Sequence, residues 1–109
     1  MSNNWITVCK SEDLTPGSGV CALHQNQQVA IFRDSVSDKV YAVSNFDPFG
    51  EANVLSRGII GSIGDKVVVA SPLYKQHFCL DTGECVEDAS QRIKTYPVRV
   101  HQGELQLQA

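Results

Sequence analysis

What most limits the fold of this chain is a rhythm of short β-prone runs with no sustained helical period between them. Residues 5–9, 20–24, 29–33, 40–44 and 66–70 are dense in Val, Ile and aromatic residues, whose branched or planar side chains suit a pleated sheet. Turn formers punctuate these runs: Gln25-Asn26-Gln27, Ser37-Asp38, Gly64-Asp65, Asp81-Thr82-Gly83 and Gln102-Gly103. The last of them joins 97–101 to 104–108, where Val98, Val100, Leu105 and Leu107 alternate with polar residues and predict one buried face per strand. Adjacent strands are expected to pair as hairpins. The only helical signal is a single turn over 11–14, with Ser11 as its cap and Pro16 as its stop. The pattern predicts an all-β fold, a small antiparallel barrel or sandwich.

Length and composition set the outer bounds. A chain of 109 residues predicts one domain, 1–109, that buries roughly two-thirds of the surface its unfolded form exposes. A formal charge of −3 leaves no surplus of Lys and Arg for phosphates or anionic lipid, so nucleic acid is not an expected partner. No apolar run approaches the ~18 residues of a membrane span, and MSNNWITVCKSEDL has neither the basic start nor the apolar core of a secretion signal. A cytoplasmic location with no membrane partner is the expectation. The four cysteines form no C-x-x-C pair, and reduced thiols are expected.

Two connections are longer than turns, 45–58 and 71–78, and loops that rise from a rigid β scaffold are where sites concentrate. The first holds Asp47-Pro48-Phe49 and then Leu55-Ser56-Arg57-Gly58; the second holds Ser71-Pro72-Leu73-Tyr74 and then Phe78, Asp81, Thr82 and Gly83. Together they resemble the Rieske iron–sulfur family. There the first loop carries C-x-H and runs on to Leu-Ser-x-Gly, and the second carries C-P-x-H and runs on to an aromatic, Asp and Thr-Gly. The resemblance implies a Rieske-like antiparallel β-sandwich or barrel over nearly the whole chain, with these two loops in the cluster-binding position.

In that family the two cysteines hold one iron of a [2Fe–2S] cluster and the two histidines the other. By the resemblance, Asp47 and Ser71 stand in the cysteine places, Phe49 and Tyr74 in the histidine places. Phenylalanine offers no lone pair, a phenol ionises only near pH ~10, and a serine hydroxyl is a far poorer iron ligand than a thiolate. No metal is expected at these degenerate positions. Phe49 and Tyr74 are expected instead to fill part of the cluster space and hold the loops together, an aromatic pair adding about 0.5–1.5 kcal/mol beyond its buried area. A plainer reading stays open, because Asp-Pro and Ser-Pro are common turn starters and an aromatic at a loop base is more often core.

Cys79 and Cys85 flank the Asp81-Thr82-Gly83 turn. A three-residue loop with Gly83 left-handed would set Cys79 opposite Cys85, within reach of a disulfide; a two-residue Thr82-Gly83 loop would set Cys79 against Val86 and prevent one. Free thiols are expected in either case. His77, Cys79 and Cys85 make three soft ligands at spacings that do not match a zinc site. Cys9 and Cys21 read as small buried apolar groups, and His24 and His101 as exposed residues beside turns. No Ser-His-Asp or Cys-His set, phosphate loop or carboxylate pair stands out, so no catalytic residue is assigned.

The stretches 29–33, 44–49, 54–58 and 70–73 look like a ligand-free branch of the family, the small subunits of bacterial NAD(P)H-dependent nitrite reductases. This resemblance implies a non-catalytic subunit with no cofactor of its own. Its partner would be the nitrite reductase large subunit, which carries FAD, [4Fe–4S] and sirohaem and reduces nitrite to ammonium in nitrate assimilation. It also implies a contact surface at the loop tips, over 46–50 and 72–77. Phe46, Pro48, Phe49, Pro72, Leu73 and Tyr74 would supply its apolar centre, with Arg57, Lys75 and His77 around it. Tyr74 cannot serve both packing and docking; its burial would favour the first and its exposure the second. Two other readings stay open: a binding module that regulates another oxidoreductase, and a ferredoxin with atypical ligands.

Overall fold

Alternation along each run decides the architecture. In the computed structural model, which describes residues 4–73 and 75–108, the strands are β1 (Trp5–Lys10), β2 (Gly19–His24), β3 (Gln27–Arg33), β4 (Val40–Ser44), β5 (Phe46–Asp47), β6 (Ala52–Asn53), β7 (Ile59–Ile63), β8 (Lys66–Ala70), β9 (His77–Cys79), β10 (Thr95–Tyr96), β11 (Val98–His101) and β12 (Glu104–Gln108). They form antiparallel sheets in the orders β1-β12-β11, β10-β4-β3-β2 and β7-β8-β9, with β5-β6 as a small hairpin inside the first loop. The all-β, Rieske-like architecture expected from the sequence is the one observed.

β3 divides the interior in two. Val29 and Ile31 face a core with Leu14, Ala42, Leu105 and Leu107, while Ala30 and Phe32 face a second core with Val43, Leu55, Val69 and Phe78. Because successive side chains on a strand point to opposite faces, one apolar run serves both cores. Leu55 and Phe78, which carry the two long loops, are fully buried in the second core, so the loops are rooted in packing.

Gln25-Asn26 and Gln102-Gly103 are two-residue loops with positive φ at both positions (52° and 64°, 53° and 77°), the geometry whose twist matches paired strands. Gln27 therefore belongs to β3, opposite His24, and not to the turn. Ser11 is the first residue of a 3-10 turn, Ser11–Asp13, and not its cap; Lys10 holds that position, and the Ser11 amide donates to the Gly103 carbonyl at 2.9 Å.

The turn before Gly83 adopts neither sequence-predicted register. Cys79 N donates to Glu84 O at 2.9 Å, Gly83 N to Cys79 O at 2.7 Å, and Phe78 bridges Cys85, so the loop spans four residues, 80–83. Leu80 is the cause: it is buried in the second core and its amide donates to Val67 O at 2.9 Å, which removes it from pairing with Glu84. Cys85 thus opposes Phe78, not Cys79, and all four cysteines are free thiols. Gly83 is left-handed at φ 83° within this longer loop, and a Cβ there would run into the Ile93 carbonyl oxygen.

Candidate functional site

Asn45 closes the base of the first loop. It is buried, its amide donates to Gln28 O at 3.0 Å, its carbonyl accepts from Leu55 N at 3.0 Å, and its side-chain Oδ1 accepts from Ser56 N at 2.6 Å. Its Nδ2 donates to Gln28 Oε1 at 3.0 Å. One side chain therefore ties the ends of 45–58 to each other and to β3. Beyond it β5 and β6 pair, with Glu51 N donating to Asp47 O at 2.7 Å. The 3-10 turn Leu55–Arg57 then leads into Gly58, where a Cβ would run into the Ala70 carbonyl oxygen. The second loop closes on itself, Ser71 N donating to Gln76 O at 2.9 Å and Lys75 N to Ser71 O at 3.1 Å.

The two loops meet at the two cysteine places. The Ser71 hydroxyl donates to Asp47 Oδ2, while Asp47 Oδ1 accepts from Phe49 N at 2.9 Å and Ser71 Oγ accepts from Leu73 N at 3.2 Å. Asp47 is 0% and Ser71 1% exposed. Phe49 packs against the second core with its ring 6.1 Å from that of Phe78. Gly50 lies so near Leu73 that a Cβ would run into Leu73 Cδ1. Tyr74, expected to pack or to dock, lies outside the described residues.

This donor set does not fit a [2Fe–2S] cluster. Asp47 and Ser71 spend their oxygens on each other and on loop amides, and Phe49 has no lone pair where an imidazole would be needed. Among the described residues no group of three or more His, Cys, Asp or Glu is placed to hold a metal ion.

The remaining sequence-singled residues fall in several places. Phe46 and Leu73 are exposed, as are Pro72, Arg57 and Lys75; Pro48 is half-buried. His77 is half-buried and held sideways, its amide 2.8 Å from Glu87 Oε1 and its Nδ1 2.5 Å from Glu87 Oε2. Burial raises the Cys85 thiol; for Cys79 burial acts the same way but is outweighed by the Thr82 hydroxyl and the Thr82 and Asp81 amides, so it is lowered. Two expectations fail outright. Cys21 is exposed because β2 is the outer strand of its sheet, and His24 is buried because its ring meets Tyr96 edge-on and its Nε2 lies 3.3 Å from Gln108 O. His101 is exposed as expected.

Sequence reasoning missed Asn45 and the Asp47–Ser71 bond. A signal for the second existed: two positions that share one iron in metal-bearing relatives must be neighbours, so a carboxylate and a hydroxyl standing there are within bonding reach. Asn45 left no such signal, since its partners at 28, 55 and 56 come together only on folding.

Residues 4–108 match the family described as the Rieske-like [2Fe-2S] domain. The chain is 51% identical over 105 residues to the nitrite reductase (NADH) small subunit of Salmonella typhimurium, covering 96% of this chain and 97% of that one. It superposes with a TM-score of 0.82 on the solution structure of a nitrite reductase [NAD(P)H] small subunit from Erwinia carotovora, at 50% identity, covering 100% of this chain and 83% of the other. It is also 38% identical over 104 residues to a segment of the nitrite reductase [NAD(P)H] large subunit of Klebsiella oxytoca, covering 95% of this chain and 11% of that protein. On these matches the chain belongs to the Rieske-like [2Fe-2S] domain family, in its branch of nitrite reductase small subunits.

Proposed function

We propose that this chain is the non-catalytic small subunit of a cytoplasmic NAD(P)H-dependent nitrite reductase that converts nitrite to ammonium in nitrate assimilation. It carries no cluster and docks on a large subunit that holds FAD, [4Fe–4S] and sirohaem. The observation that carries the reading is the closed Asp47–Ser71 pair: the loops keep the form of an electron-transfer tip while the oxygens at two ligand places are engaged with protein. A tip stiffened in this way suits recognition. Phe46 and Leu73, 42% and 45% exposed, and the neighbouring Pro48 and Pro72 give it apolar contact area, and Arg57, Lys75 and His77 give it polar contacts. The segment of the Klebsiella oxytoca large subunit that resembles this chain supports the partner, since there a similar domain and the large subunit share one polypeptide. Among the described residues no helix is long and apolar enough to cross a membrane.

The test is tagged purification of the chain from nitrate-grown cells of its source, with the visible spectrum and NAD(P)H-dependent nitrite loss recorded on whatever accompanies it. A large chain with flavin and sirohaem bands and nitrite-reducing activity is the expected result. A colourless, inactive chain recovered alone from cells that contain the large subunit would refute the subunit role and point to a module serving another oxidoreductase.

A further inference from the structure

Behind the second loop a groove runs into a strand whose exposure the fold itself does not explain. β7 is the outer strand of its sheet, bonded among the described residues to β8 alone. Its sequence, Ile-Ile-Gly-Ser-Ile, has no charge and no proline, the devices that ordinarily protect a sheet edge. Four of its five residues are exposed, and Ile59 keeps 78% of its surface in solvent. Alternation sends Ile60 against the second core and places Ile59, Gly61 and Ile63 on the opposite face.

Gly61 has no internal reason to be glycine. Its φ is not positive, and a Cβ built there meets nothing within 4 Å. Glycine inside a strand weakens it, and where the fold makes no use of the missing side chain it marks a place where another backbone approaches. At the start of the strand Arg57 and Lys75 flank a groove of about 460 Å³ whose walls include Gly58, Ile59, Ala70 and Pro72. Neither cation takes part in an ion pair among the described residues, although the chain is net acidic at −3.

We propose that the β7 edge and this groove are the seat of the large subunit. The partner lays an extended apolar segment along Ile59–Ile63, brings its backbone over Gly61, and reaches Arg57 and Lys75 with carboxylates. The inference rests on the small-subunit reading and extends its loop-tip contact onto the neighbouring β7 edge. Two observations select the occupant. The two cations, which form no ion pair among the described residues, call for acidic groups opposite them, and a large-subunit polypeptide with a segment similar to this chain tethers such a domain to its partner.

The experiment measures binding of the full chain to the large subunit of its source at low and high salt. The variants are Ile59→Glu, Gly61→Gln and the pair Arg57→Gln with Lys75→Gln, with Val36→Glu, at a 92% exposed position, as the control. Melting temperatures no lower than the parent's, with about tenfold or greater loss of affinity for Ile59→Glu and Gly61→Gln, are expected. The charge variant should flatten the salt dependence, and Val36→Glu should bind like the parent. Parental affinity in both Ile59→Glu and Gly61→Gln overturns the seat and leaves the subunit role intact. Failure of the parent chain to bind overturns both. A parent that self-associates, with the variants breaking the homodimer but not the complex, assigns the edge to a second copy and overturns the proposal.

Discussion

Asp47 and Ser71 link the two long loops through a single buried hydrogen bond. A buried carboxylate that loses a hydrogen-bond donor bears its own desolvation, so Ser71→Ala should cost about 2 kcal/mol and lower the melting temperature by roughly 10 °C. Replacing both partners, as Asp47→Leu with Ser71→Ala, should cost less than the two single changes summed; a strictly additive cycle in thermal denaturation would show the pair to be uncoupled. Phe49→Ala removes a ring that is only partly buried and should cost about 1–3 kcal/mol, below the range for a fully buried phenylalanine; an unchanged melting temperature would end the packing role. Glu87 supplies a pH dependence. Partial burial acts to raise its carboxyl, but the His77 amide and ring outweigh this and hold it below the ordinary glutamate range. A carboxyl lowered by folding gives its stability in full above its unfolded value of about 4.3 and loses it as pH falls through the lower folded value. Urea midpoints measured from pH 6 to pH 3 should therefore fall less steeply on the acid side for Glu87→Gln than for the parent. The residues at the four ligand places were legible one by one in the sequence; the bond between two of them was legible only as a consequence of the metal geometry they replace.

At the scale of elements, strands with strong alternation or dense β-branched content were readable, and those that violate both were not. β4, β8 and β12 have the bounds that the sequence predicts. β7 was missed because Gly61 and Ser62 interrupt its apolar run, and β9 and β10 because stretches of 3 and 2 residues hold no period. The same interruption carries a prediction. Gly61→Ala should stabilise the isolated chain by about 0.5–1 kcal/mol, since strand glycine is costly and the site is open, which chemical denaturation can measure. Gly83→Ala should do the opposite and cost more than about 2 kcal/mol, because a left-handed backbone and the Ile93 carbonyl both reject a Cβ. The hairpin at 80–83 explains why turn chemistry alone misjudged its register. Asp81, Thr82 and Gly83 are sound turn formers, but Leu80 is claimed by the core and by Val67, and the loop lengthens by one residue to release it.

For the whole molecule, two apolar cores on either side of β3 hold a loop tip at one end and expose one unprotected strand beside it. A loop tip rooted in a packed core keeps its backbone in place, so the docking proposed above should require little rearrangement. The sequence by itself determined the fold class, because short β-prone apolar runs broken by turn residues favour antiparallel sheets, and it determined that the four ligand places hold neither cysteine nor histidine, because ligand identity is a property of side-chain type. It also carried the family, in the spacing of Leu-Ser-x-Gly and Thr-Gly around the four changed positions. Only the tertiary structure decided how the side chains at those places are engaged. The Asp47–Ser71 bond joins residues 24 apart in the chain, the Asn45 clamp needs β3 beside it, and the open face at Gly61 is defined by what fails to pack there. Each depends on distances between segments that local pattern does not encode, since hydrogen bonds and packing act over a few ångströms in space whatever the separation along the chain.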